Sequence, residues 1–454
     1  MKQSKAMQSL INDINKLKEY NEKSKTFCFL PFSHVQISGK GNLKPCCNAR
    51  WPLDKKDAYS LNYNKFEEYW NSDYLKQIRL DMLNGKKHPA CSLCYKEEDK
   101  GIESMRIENS KLYTDSEKYN MDDDRDVSRV SFAPEMVKRL DRASEYNGEV
   151  QQLPTGIDIK FSNLCNLKCR MCNPSSSSQI HKEIANNKSK YAFPKWMLND
   201  YKSVSTWESK FKKRKSNIWY ETDSFKELIG NRVNEITHIK TTGGEPVLID
   251  ALKNFMKNAV ETGESKHIVM HMISNGLKID DEILGYLKQF QVCNLAVSVD
   301  GYGSVYDYIR TPGRWSNLEK NLLILRDSQS PYFDFEIDIT VQILNVLNII
   351  DLVRWSDSNN IRYKFQYVEH PSYYNICCLP DSIKNLAIRK IKNYISEGNK
   401  SLSENQLETL LNVIKSKASN SDESFIEFKK FNSTYDNIRN QELKEYVPDL
   451  YKLL

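Results

Sequence analysis

Three cysteines at C-x3-C-x2-C spacing, Cys165, Cys169 and Cys172, follow directly on the alternating run Ile157-Asp158-Ile159-Lys160-Phe161. Thiolate is the soft ligand that holds iron–sulfur clusters, and close spacing in one loop lets several sulfurs converge on one cubane. Three protein ligands to a four-iron cluster leave one iron open to another ligand. The same thiols suit zinc if a histidine completes the set, and His181 is near enough in sequence. A second group lies earlier: Cys28, Cys46 with Cys47 beside it, Cys91 and Cys94. Between the first two, His34 to Lys44 reads as a β-hairpin turning at Gly39 and Gly41, which would bring two sulfurs side by side. The tight Cys91-Ser-Leu-Cys94 turn supplies two more. Four cysteines in two pairs suit a structural zinc ribbon as well as a cluster. Cys47 reads as a substitute ligand or as a buried thiol.

The three-cysteine loop resembles the signature of the radical S-adenosylmethionine (SAM) enzymes, in which the amino and carboxylate groups of SAM chelate the open iron. The resemblance implies that a reduced four-iron cluster cleaves SAM to a 5′-deoxyadenosyl radical, which takes a hydrogen atom from substrate. Later strand ends carry further resemblances. Thr241-Thr-Gly243-Gly244-Glu245-Pro246 is similar to the family's GGEP motif, which implies that Gly243, Gly244 and Glu245 meet the SAM amino group. Glycines permit close backbone approach and a carboxylate complements an ammonium. Ser274-Asn275-Gly276 resembles a T/S-N-G strand end, with Asn275 either a ligand or a turn residue. Ser298-Val-Asp300-Gly301 resembles the S-x-D-G element, which implies a contact from Ser298 to the SAM ribose or carboxylate. Arg310 and Arg314 follow, and Arg310 is the better placed to pair with that carboxylate. Gln342 closes the fifth strand, where ribose or adenine contacts are expected. Beyond the sixth strand stand His370, Cys377 and Cys378: a thiol can return a hydrogen atom, and a histidine can act as base. Buried free cysteines otherwise simply pack.

The early group, in the order C-x12-G-x4-C, gap, C-x2-C, resembles the opening half of the SPASM domain and the shorter twitch domain. That resemblance implies one auxiliary four-iron cluster held by Cys28, Cys46, Cys91 and Cys94. Such modules usually follow the barrel; this one precedes it.

Positioning these motifs requires alternating strands and helices. Strand patterns fall at 156–161, 235–241, 267–273, 293–299, 335–343 and 362–368, and helical ones near 177–187, 248–262, 279–290, 316–328, 347–358 and 382–395. Such alternation implies parallel strands with crossover helices. Six units match the partial (β/α)6 barrel of the family, with its chemistry at the strand C-termini. The expected α/β architecture is therefore an N-terminal helix (1–24), an α+β auxiliary-cluster domain (25–130), a helical linker (131–150), a partial barrel (151–375) and a C-terminal helical region (376–454). One helix is expected over 61–83, and Asp122–Asp126 reads as solvated loop. An insertion at 188–222 is rich in lysine, with Lys212, Lys213, Arg214 and Lys215 consecutive, and interleaves Tyr191, Phe193, Trp196, Trp207, Phe211, Trp219 and Tyr220. Basic and stacking residues together can bind nucleic acid or other anions; the plainer reading is a solvated lid.

The chain has 454 residues, 39% hydrophobic and 28% charged, with a net charge of +6 and eleven cysteines. No run approaches the ~20 apolar residues of a membrane span, and no signal core opens the sequence, so a cytoplasmic protein without membrane partners is expected. In that compartment eleven cysteines argue for metal or redox chemistry rather than disulfides. The expected substrate is a peptide or protein side chain or backbone, undergoing crosslinking, epimerisation or oxidation, with a small molecule as another possibility. A donor such as flavodoxin or ferredoxin would supply electrons. Two alternatives are modification of a nucleotide, nucleic acid or other anionic metabolite, and a non-catalytic electron-transfer or sensing protein. Glu245 argues against the last, because electron transfer needs no SAM pocket.

Overall fold

The computed structural model describes residues 2–50, 59–63, 65–99, 101, 103–114, 132–214, 218–397, 404–418 and 420–454. Eight strands are present: β1 (His34–Ile37), β2 (Leu43–Lys44), β3 (Gly156–Lys160), β4 (His238–Thr242), β5 (Val269–Ser274), β6 (Val292–Ser298), β7 (Phe333–Val341) and β8 (Tyr363–Tyr367). From β3 onward each strand falls within about three residues of its sequence pattern. The start of β4 is the largest slip, because Val233–Glu235 forms a 3-10 turn before the strand begins. The helices Ser178–Asn187, Asp250–Glu261, Asp281–Leu287, Trp315–Asp327 and Ile349–Ser358 stand between the strands, the β/α alternation of a partial (β/α)6 barrel.

The chain divides into two compact units. The first comprises 1–161, 216–241 and 254–270; the second comprises 162–215, 242–253 and 271–454. Within the first unit the strands run in the order β2-β1-β3-β4, and within the second in the order β6-β7-β8.

In the first unit β1 and β2 form the expected hairpin, antiparallel with Ile37 opposite Leu43. Its turn needs Gly41. The backbone there has φ +81°, and a Cβ would stand 2.8 Å from Cγ of Trp219. Trp219 is fully buried, donates from Nε1 to the Gly39 carbonyl at 3.2 Å and stacks on Phe161. β1 also pairs in parallel with β3, His34 beside Gly156 through Ile37 beside Ile159. The hairpin of the cysteine-rich module is therefore a continuation of the main sheet. The single helix expected over 61–83 is two, Phe66–Trp70 and Asp73–Leu83. Ser72 breaks it by accepting from the Leu75 amide, an N-cap that starts a new helix.

In the second unit β6, β7 and β8 are parallel neighbours. Along β7, Phe333, Phe335, Ile337, Ile339 and Val341 are buried, while the residues between them are half-buried. This is the period-2 pattern of a strand with one apolar face, and each such burial contributes roughly 2 kcal/mol. The lysine-rich insertion forms a 20-residue helix, Lys195–Arg214. Lys215 lies outside the described residues, as does the acidic loop Asp122–Asp126. The C-terminal region is helical, with Asp381–Ser396, Glu404–Lys415 and Ser421–Arg439 as its main elements. Among the described residues no helix is long and apolar enough to cross a membrane.

Candidate active site and auxiliary-cluster cavity

The three-cysteine loop is held by backbone. The Gly244 amide donates to the Ser162 carbonyl at 2.9 Å and the Glu245 amide to the Leu164 carbonyl at 2.8 Å. This contact leaves no room for a side chain, since a Cβ on Gly244 would stand 2.1 Å from the Leu164 oxygen. Gly243 has φ +135°, a conformation that also favours glycine. On the other side of the loop, Lys168 donates its amide to the Thr311 carbonyl and Arg170 to that of Ile309. Cys165 is buried; Cys169 and Cys172 are partly open. Burial raises the Cys165 thiol to about 12, with Cys169 adding to the shift. Burial also raises Cys169, against the pull of Arg310. Neutral thiols are what such a site holds without a cation; bound iron takes them as thiolates.

Glu245 is 1% exposed. Its carboxylate accepts from the Ser274 hydroxyl and the Asn275 amide, both at 2.7 Å, and burial raises its pKa to about 7. Asn275 is a turn residue here: its Oδ1 accepts from the Leu277 amide, and its Nδ2 donates to Asn166 inside the cysteine loop at 2.8 Å. Ser298 is half-buried at the last position of β6. Arg310 is 7% exposed, with Nε on Asp300 at 2.7 Å. Its charge is felt by Cys165, Cys169 and Glu245, which places the guanidinium beside the loop. Arg314 is instead on the surface, paired with Asp307. Gln342 is completely buried, yet neither Oε1 nor Nε2 has a hydrogen-bond partner. A buried amide without partners is costly, and a polar ligand group would satisfy it.

Several residues of this constellation escaped the sequence reading. Asp300, fully buried, accepts from Arg310 and from the Thr340 amide and so ties β6 to the end of β7. Asn345 bonds the Asp300 and Thr340 carbonyls and accepts from the Gln342 amide, fixing the backbone that carries the orphaned side chain. Arg170, between the second and third cysteines, is 0% exposed. Its guanidinium lies 3.5 Å from the Tyr308 ring centroid and donates to Asn432 at 3.0 Å, Asp436 at 2.6 Å and Gln441 at 3.0 Å. Nearby, buried Glu183 accepts from Lys168 and from Arg439 of the C-terminal helix. The helix Ser421–Arg439 thus grips the cysteine loop.

His370, Cys377 and Cys378 find other surroundings. His370 is exposed, its ring edge-on to Trp196 at 4.7 Å. Cys377 Sγ lies 3.0 Å from the Ser416 hydroxyl, and Cys378 Sγ 3.5 Å from the Ser372 carbonyl, so both pack within the C-terminal region. Of the insertion aromatics with described side chains, Phe193 and Trp219 are buried and Tyr191, Trp196, Trp207 and Tyr220 half-buried. The side chains of 210–215 and Phe211 lie outside the described residues. His181 bonds Ser205 and stacks on Tyr201.

In the first unit Cys28, Cys46, Cys91 and Cys94 line one cavity with Leu30, Pro31, Pro45, Met82, Met105 and Arg106. Burial pushes Cys28 and Cys91 each up to about 12, and neighbouring thiols add to this. Among the described residues no three His, Cys, Asp or Glu side chains meet at single-ion distance. The four sulfurs border a common apolar space instead, a donor set that fits a cluster. Cys47 is not among them. Against the expectation of a buried thiol it is exposed, its Sγ 3.4 Å from Met105 Sδ, because the chain turns outward after Cys46.

Two family models match stretches that contain the two cysteine groups. Residues 159–348 match the family model of the radical SAM superfamily, and residues 28–95 match that of the SPASM iron–sulfur cluster-binding domain. Residues 159–348 are therefore a radical SAM domain and residues 28–95 a SPASM domain. The cofactors of these two domains are a four-iron cluster with SAM in the first and an auxiliary iron–sulfur cluster in the second. The chain is similar to the sporulation killing factor maturation protein SkfB of Bacillus subtilis (strain 168), 22% identical over 215 residues that cover 47% of this chain and 42% of that protein. It thus spans less than half the length of that relative. Among solved structures it is similar to Streptococcus suis SuiB bound to S-adenosylmethionine (15% identity, TM-score 0.37, 72% of this chain and 64% of that one). It is also similar to anSMEcpe with bound AdoMet (18% identity, TM-score 0.36, 55% and 63%). Anaerobic reconstitution is expected to load about eight irons per chain, two four-iron clusters. Iron and zinc analysis checks this, and a count near four with zinc present would reassign the cavity of Cys28, Cys46, Cys91 and Cys94.

Proposed function

We propose that this protein is a radical SAM enzyme acting on a peptide or protein. The observation that carries the chemistry is the clamp of the three-cysteine loop by Gly244 and Glu245, with Arg310 and the orphaned Gln342 amide in the same unit. Cys165, Cys169 and Cys172 would hold the cluster and leave one iron for SAM. Gly243 and Gly244 would let the SAM amino group approach the backbone, beside the Glu245 carboxylate. Arg310, held by Asp300, would face the SAM carboxylate; Ser298 and Gln342 would bond the ribose and adenine. When bound at these residues, the cluster and SAM would supply reductive cleavage of SAM and, through it, hydrogen-atom abstraction from substrate. Cys28, Cys46, Cys91 and Cys94 would hold the auxiliary cluster, and a flavodoxin or ferredoxin would deliver electrons.

The substrate class rests on the relative: SkfB is named a maturation protein of a sporulation killing factor. Crosslinking, epimerisation and oxidation of a peptide all begin with hydrogen abstraction. The test is anaerobic 5′-deoxyadenosine release with dithionite and SAM, comparing a pool of short peptides with a pool of nucleotides and nucleic acid. Stimulation by peptides is the expected result. Stimulation by the nucleotide pool alone would replace the peptide reading with the anionic one.

A further inference from the structure

One face of β1, β3 and β4 carries His34, Gln36, Asp158 and Lys240, none of which takes part in either cluster site. Parallel pairing sets Gln36 directly beside Asp158 and His34 beside Gly156, so these side chains share one side of the sheet. The other side is apolar and buried, with Val35, Ile37, Ile157, Ile159 and Ile239.

Two acceptors on the polar face lack donors. Asp158 is 7% exposed, and among the described residues no hydrogen bond reaches its carboxylate. Gln36 is 8% exposed, and its Oε1 is buried without a partner. A buried acceptor left unpaired is expensive; that holds for the Gln36 oxygen, and the Asp158 carboxylate stands beside it in the ladder. A cation completes the set. Burial raises the Asp158 carboxyl, against the pull of His34 and Lys240; Lys240 is exposed, and no ion pair joins it to Asp158 among the described residues. His34 donates from Nδ1 to the Pro45 carbonyl at 3.0 Å, since that oxygen can only accept. Two residues after Pro45, the exposed Cys47 thiol lies near both Asp158 and Lys240.

This face discriminates between ligands. A phosphate would meet the buried Asp158 carboxylate. A simple cation would meet Lys240. An amide presents a donor to the acceptors and an acceptor to the lysine, on adjacent atoms. We infer that the face of His34, Gln36, Asp158 and Lys240 anchors an amide group of a peptide substrate, its N–H donating to Asp158 and Gln36 and its carbonyl accepting from Lys240, with Cys47 at the rim. The inference rests on the peptide reading of the substrate and adds where the peptide is held.

The experiment uses enzyme loaded with both clusters, a pool of short N-acetylated, C-amidated peptides, and alkylation of Cys47 by N-ethylmaleimide followed by mass spectrometry. The pool should slow alkylation of Cys47, and Lys240→Met or Asp158→Asn should remove that protection. The same variants should raise the peptide concentration giving half-maximal 5′-deoxyadenosine release about tenfold, the loss of one charge-assisted hydrogen bond. Lys240 is exposed, so its variant tests the site even where Asp158→Asn fails to fold. Peptide stimulation with unprotected Cys47, or with wild-type half-saturation in Lys240→Met, overturns the anchor while leaving the peptide reading intact. Stimulation by nucleotides and not by peptides overturns that reading and the named occupant together.

Discussion

Replacing Cys165, Cys169 and Cys172 together by alanine should reduce 5′-deoxyadenosine release to the enzyme-free background. On the proposed reading the three sulfurs would be the protein's whole hold on the iron that SAM would meet. Glu245 and Arg310 complement the charges of an amino acid but can supply no electron, so no partial route survives their loss. The auxiliary cavity lies in the other compact unit, and the triple variant should therefore keep about four irons. Chromatographic assay of 5′-deoxyadenosine beside iron analysis checks both statements. Release that persists in the triple variant would refute the assignment of the loop.

The second large effect is structural. Asp436→Ala should lower stability by about 3 kcal/mol, read as a shift of the urea midpoint of the metal-free protein. Arg170 is fully buried, and its 2.6 Å bond to Asp436 is its shortest. Removing one partner of a buried pair strands the other charge, at about 3–5 kcal/mol. The 17% exposure of the Asp436 side chain puts the effect at the low end. The Tyr308 hydroxyl, 2.8 Å from the same carboxylate oxygen, loses its acceptor as well. Because Arg170 lies inside the cysteine loop, the variant should also lose iron from that loop faster under chelation. Lys257→Ala, at the exposed pair with Glu261, should leave the midpoint within about 0.5 kcal/mol of wild type. Equal midpoints for Asp436→Ala and wild type would show the grip of the C-terminal helix to be unimportant.

The contrast between these variants follows what the sequence made visible. Each barrel strand is a short apolar or alternating run ending in a motif, and such local periodicity survives translation into structure. The cysteine spacings are local too, which is why both groups and the GGEP resemblance could be read directly. Arg170 could not be read in this way. Its partners Asn432, Asp436 and Gln441 are more than 260 residues away, and no local pattern joins them. Asp300 lay within a quoted motif whose serine drew attention, although the aspartate is the residue the fold buries. Cys47 was misread because adjacency to Cys46 suggested a shared environment, whereas neighbouring residues of a turning chain point apart. Trp219 looked like a stacking platform by its basic surroundings, but a glycine turn 178 residues earlier, Gly41, leaves a gap that the indole fills.

The parallel ladder between β1 and β3 bears on how the molecule can be taken apart. A cassette that binds a cluster and is merely strung before a catalytic domain can be deleted or exchanged. Here the hairpin supplies the neighbour of the strand that leads into the three-cysteine loop. Cutting the chain near residue 150 would strip β3 of its partner from His34 to Ile37 and leave a bare strand edge, a template for aggregation. Removing the cysteine-rich hairpin therefore also removes the neighbour of β3, and a graft must carry the ladder with it.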